Sequence, residues 1–218
     1  MCEQNVFREF FSAIEPIRMR DPLATLLGAF SGDDDVLEYD FADVVKMAGH
    51  SCPTVASAFV ACKHAVRALF PEGIGVRGSI AVLVHGERDD GVYGVVAQVI
   101  SLITGACPET GFKGLGGLHR RNHLLRFGAR ESDACARFDF TRTDTKRTCV
   151  VTLIPAALPA LSPAEQERLG ALLAQNVWET ATESERAEFR NLWMKRVRWI
   201  VLEEKDRNEW LTLETREV

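Results

Sequence analysis

The chain has 218 residues, 46% apolar and 26% charged, with a formal net charge of −5. That length supports one full core with an appendage, the acidic balance argues against general nucleic-acid affinity, and no apolar run approaches membrane-span length. Six cysteines, Cys2, Cys52, Cys62, Cys107, Cys135 and Cys149, are too few for a disulfide scaffold in a chain of this length, and without a CxxC pair they form no zinc ribbon or thioredoxin motif.

Most of these thiols read as small buried hydrophobes. Glu3 and Arg8 interrupt the N-terminus, so it does not read as a signal peptide and a reducing cytoplasm is expected. Val6, Phe7, Phe10, Phe11 and Ile14 recur with helical spacing ahead of Pro16, predicting an amphipathic first helix. Asp21-Pro22 reads as an N-cap and first helical position, opening a helix from Leu23 to Phe30 that Gly32 closes. Gly32 to Asp35 reads as a solvated acidic turn. Asp40 caps a short helix with Phe41, Val44, Val45 and Met47 on one side, running into Gly49. A long helix follows from Pro53 to about Phe70, burying Val55, Phe59, Cys62, Val66 and Leu69, with His64 at its rim.

After the turn at Pro71-Glu72-Gly73, the apolar run Ile80 to Val84 predicts a strand covered on both faces, ending at His85-Gly86. Val95 to Ile103 is apolar almost all round and predicts a deeply buried helix, with Gly105 at its C-cap. Cys107 to Gly117 is an irregular glycine-rich loop, and Leu124 to Phe127 a strand. Arg137 to Phe140 and Arg147 to Ile154 form a hairpin about the turn Thr141 to Lys146. Pro155 to Pro159 marks a boundary, beyond which Ser162 with Glu165 and Thr182 with Glu185 are capping boxes of two helices. The second carries Phe189, Leu192, Trp193, Arg196, Val197 and Ile200; Trp193, Trp199 and Trp210 would anchor this section to the main body or to a second subunit. The expected organisation is N-terminal helices over 1–35, an α+β domain with a mixed sheet over 36–155, and a helical extension over 160–218.

Gly49-His50-Ser51-Cys52-Pro53 concentrates the chemistry. Imidazole and thiol are soft ligands for zinc and related metals, and a cysteine at a helix N-terminus is favoured as thiolate. Two ligands separated by one residue can chelate only from irregular backbone, which the entry into the helix at Pro53 supplies. Zinc takes three or four protein ligands. His85, at a strand end, is the next candidate, then Cys107 at the mouth of the glycine-rich loop, then His119 and His123. With an open coordination position, Asp89 or Asp90 would serve as base or would orient a ligand. Lys113 among glycines would contact an anion, although the loop lacks Walker A spacing.

From about Asp40 to Gly128 the chain resembles the formylmethanofuran dehydrogenase E-subunit family, a metal-binding domain with a Gly-His-x-Cys-Pro motif. The resemblance rests on that motif at residues 49–53, on Thr104-Gly105 closing the second helix, and on Gly111-Phe112-Lys113-Gly114-Leu115, in that order. Thr54 stands where the family has glycine, and Ala106 where it has cysteine, with Cys107 one residue later. Val95-Val96-Ala97-Gln98 stands where the family often has a cysteine and an aspartate. The resemblance implies a mixed sheet with helices on one face, similar to the catalytic-domain fold of glyceraldehyde-phosphate dehydrogenases. It also implies zinc, or another divalent transition metal such as nickel or iron, on His50 and Cys52. Three functional readings stay open. One is a metal-binding domain with a small-molecule or accessory role in metalloenzyme metabolism. The second is a thiol enzyme with Cys52 as nucleophile and His50 or His85 as base. The third is an interaction module in which metal only holds the fold. The C-terminal helices are expected to form a homodimer.

Overall fold

The computed structural model describes residues 7–30, 35–158, 161–203 and 207–217. Cys2, Glu3, Val6, Pro159, the expected helix terminator Gly32 and most of the acidic turn lie outside the described residues. The class is α+β, with a three-stranded and a five-stranded sheet, both mixed, and seven α-helices among the described residues.

The N-terminal part is less helical than expected. Glu9–Ala13 forms only a 3-10 turn, burying Phe11. The helix α1, Pro22–Leu26, starts where expected, with Asp21 accepting from the Leu23 and Ala24 N–H groups, but ends early. Around it are strands that the sequence pattern does not reveal. β1, Ile17–Arg20, buries Ile17 and Met19 and exposes Arg18 and Arg20. It pairs antiparallel with β2, Val36–Tyr39, and parallel with β3, Gly75–Val76. Runs this short carry too little alternation to stand out from a helical pattern.

The central helices follow their local signals. α2, Phe41–Ala48, opens with a capping box of Asp40 and Asp43 and ends on Gly49 at φ +73°. α3, Pro53–Leu69, has Cys52 as N-cap and proline at its first position. α4, Gly91–Thr104, is capped by Asp90 and closed by Gly105, again left-handed.

The larger sheet runs β5 (Leu125–Gly128), β4 (Ile80–His85), β6 (Ala136–Arg142), β7 (Thr148–Leu153), β8 (Leu211–Arg216). Only β4 and β5 are parallel. Ile80, Val82, Val84, Phe138 and Phe140 are buried. α3 and α4 pack against the sheet, and Tyr93 of α4 lies 6.2 Å from the Phe138 ring. The alternate positions, Ala81, Leu83, His85, Arg137, Asp139 and Thr141, are partly exposed. β4 is therefore covered on one face and not on both. Its apolar run includes Ala81 and Leu83 at half-exposed positions, which apolar side chains commonly occupy.

In the C-terminal part, both capping boxes form, opening α5 (Pro163–Val177) and α6 (Glu183–Arg198). α6 continues as a π-helical turn, Trp199–Glu203. α7, Arg207–Trp210, then leads into β8, which pairs with β7 at the edge of the main sheet. The extension is thus helical except for a strand that shares the central core. Trp210 is buried beside Trp199, and the Trp193 indole N–H donates to the Ser51 carbonyl at 2.8 Å. Among the described residues no helix is long and apolar enough to cross a membrane.

A buried ionic cluster ties the two sheets together. Asp21 accepts from Arg77 at 2.8 Å and from Arg121 at 2.6 Å. Arg77 also donates to the carbonyls of Leu102 and Ile103 at the C-terminal end of α4, where a cation meets the negative end of the helix dipole. Gly78, at φ +80°, lets Arg121 through: a Cβ there would stand 1.9 Å from its Nη1.

Candidate functional site

The corner between α2 and α3 is built by three local devices. Gly49 turns the chain out of α2. Cys52 stays extended, at φ −141° and ψ 167°, and its Sγ accepts from the Val55 N–H at 3.4 Å. Pro53 takes the first helical position, where no amide donor is needed. His50 Nδ1 lies 2.9 Å from the Ala48 carbonyl oxygen. A carbonyl only accepts, so Nδ1 donates this bond, and Nε2 is the ring nitrogen left for a ligand. The Trp193 bond to Ser51 holds the corner from the far side.

His50 and Cys52 both line a cleft of about 490 Å³ between α3, α4, the end of β7 and the C-terminal helices. Its walls are largely apolar, with Val96, Leu153, Ile154, Leu158, Trp193 and Trp210 among them, and no carboxylate of the described residues lines it. Arg196, Trp210 and Ser57 bring polar donors to the walls. Arg196 is half-buried, and burial alone lowers its pKa from the usual guanidinium value. Among the described residues, its guanidinium has no ion-pair or hydrogen-bond partner. The Trp210 indole N–H is buried without an acceptor. Ser57 is only 7% exposed, and its hydroxyl has no partner among the described residues.

The other sequence candidates lie elsewhere. His85 points to the open face of the sheet, its Nδ1 3.0 Å from Glu131 and its Nε2 3.1 Å from Asp139. Arg137 pairs with both carboxylates. The reason is strand parity: Ile80, Val82 and Val84 face the helices, so His85 faces away from the layer that holds Cys52. Cys107 Sγ donates to the Gly105 carbonyl at 3.6 Å and does not line the cleft. Among the described residues, no group of three or more His, Cys, Asp and Glu side chains is placed to hold a metal. His50, Cys52, His85 and Cys107 therefore do not converge as one ligand set. His119 and His123 both have positive φ in the loop, Lys113 and Asp89 are exposed, and Asp90 caps α4; none of the five lines the cleft.

Sequence reasoning does not assign Ser57, Arg196 or Trp210 to a site. One signal was available: Arg196 sits within the apolar stripe of α6, between Trp193 and Val197, where a cation needs an explanation. No protein-family model matches the chain, and no curated protein matches it.

Proposed function

We propose that the chain is a small-molecule-binding protein similar to the formylmethanofuran dehydrogenase E-subunit family, in which His50 and Cys52 hold a divalent transition metal, zinc first among them, beside an apolar cleft. The observation that carries this reading is that both side chains line one cleft. The stacking of α3 and α4 against a mixed sheet also supports it. The donor chemistry fits: a sulfur at a helix N-terminus and an imidazole whose Nδ1 proton is held by a carbonyl. Zinc sites use three or four protein ligands, so a metal on these two would take its remaining ligands from water or a bound molecule. A metal bound there would supply Lewis acidity to a molecule in the cleft. Around it, Trp193 fixes the corner through Ser51, Gly49 sets the direction of the turn, and the apolar walls exclude water.

Metal analysis of purified, zinc-reconstituted protein tests this. The expected result is about one bound metal per chain, lost in His50→Ala and in Cys52→Ala with the circular dichroism unchanged. Wild-type protein that retains no zinc, or both variants retaining it, overturns the reading. Metal-free protein whose Cys52 is alkylated rapidly by iodoacetamide would replace it with the thiol-enzyme reading.

A further inference from the structure

We infer that the cleft takes an organic acid with an apolar body, its carboxylate held by Arg196. The inference rests on the ligand-binding reading of this cleft and does not depend on the metal.

Three separate donors in the cleft walls have no acceptor among the described residues. Arg196 comes from α6, the Trp210 indole N–H from the turn into β8, and the Ser57 hydroxyl from the second turn of α3. A buried donor without an acceptor costs free energy, and the Trp210 indole N–H is such a donor, with Arg196 and Ser57 beside it in the same walls. Among the described residues no Asp or Glu lines the cleft. The missing partner is therefore an acceptor with negative charge. A carboxylate matches a guanidinium by two parallel hydrogen bonds, and Ser57 and Trp210 add neutral donors.

The remaining walls specify the rest of the molecule. Val96, Leu153 and Trp210 are hydrocarbon or aromatic surface and offer little to a polar body. About 490 Å³ lies within the range of small-molecule sites. One guanidinium suits a monoanion; a phosphate dianion in the same low-polarity cleft would keep uncompensated charge. Elsewhere in the chain, by contrast, the guanidiniums of Arg121 and Arg77 each already pair with an oxygen of the shared Asp21 carboxylate. Arg196 is different because no described residue offers it an anion.

Phenylacetate and octanoate are the probes, with the neutral isostere 2-phenylethanol and inorganic phosphate as controls. Binding is read by the fluorescence of Trp193 and Trp210, which line the cleft. Measurements are made on zinc-loaded protein and again after dialysis against EDTA. The expected result is saturable binding of at least one acid in both preparations, and phenylacetate at least tenfold tighter than 2-phenylethanol. Arg196→Gln should weaken acid binding at least tenfold, leave 2-phenylethanol unchanged, and keep the wild-type melting temperature. Equal affinity for acid and alcohol, or an Arg196→Gln variant that binds acid as wild type does, overturns the inference. So does phosphate binding without acid binding. Acid binding that survives in a protein unable to hold zinc separates this inference from the metal reading; zinc held without acid binding in either preparation defeats this inference alone.

Discussion

The corner at His50 and Cys52 and the glycine-rich loop after Cys107 both bring an arginine against apolar core, and they treat it in opposite ways. In the loop, Arg121 is buried but fully engaged: Asp21 accepts at 2.6 Å, and Gly78 and Gly105 leave room for its side chain. At the corner, Arg196 is half-buried with no acceptor among the described residues, beside the equally unpaired Trp210 indole. The loop has used its polar chemistry to join two sheets, whereas the cleft has kept its own for something outside the chain. His85 also has carboxylates close by, with Glu131 3.0 Å from Nδ1 and Asp139 3.1 Å from Nε2. Residue type alone does not separate a structural cation from a binding one; the presence of an internal partner does.

The contrast can be broken most forcefully at Asp21. Asp21→Ala leaves Arg77 and Arg121 without their shared anion and removes the α1 cap, so urea denaturation should show a loss of about 3–5 kcal/mol. The same carboxyl gives a pH signature. Burial alone would raise its pKa, but the hydrogen bond from Arg77 and the charge of Arg121 hold it below 3.8. Its contribution is therefore complete above that value and is lost as the pH falls below it toward the lowered native pKa. Urea midpoints measured from neutral to acid pH should fall along this limb in wild type and less steeply in Asp21→Asn. A smaller effect is expected at the other region. Trp193→Phe removes the N–H that holds the Ser51 carbonyl, and should cost about 1 kcal/mol. The smallest belongs to Arg196→Gln, which breaks no internal pair and should change stability by less than about 0.5 kcal/mol. A loss there as large as that of Asp21→Ala would mean that Arg196 is structural after all, and the contrast would fail.

Much of the helical framework is readable without the structure. Asp40, Pro53, Gly105, Ser162 and Thr182 each mark an end through atoms only a few residues away, and all five do so in the folded chain. The β6–β7 hairpin is readable for the same reason. β1, β2 and β3 escape such reading because strands of two to four residues hold no usable period. β8 escapes it because its partner β7 lies far back in the sequence. In the candidate site, the irregular corner carrying His50 and Cys52 is visible as a junction between two capped helices. The company it keeps is not.

The sequence by itself determined several helix ends and where an imidazole and a thiol sit at an irregular turn, because capping and periodicity act over a few residues. Only the tertiary structure decided that His85 faces away from that turn, that Arg77 and Arg121 share the carboxylate of Asp21, and that Arg196 has no such partner among the described residues. Those outcomes depend on strand parity and on docking between segments as far apart as Ser51 and Trp193, 142 positions along the chain. Whether a buried donor finds an acceptor is settled by which surfaces meet, and short-range signals carry no information about that.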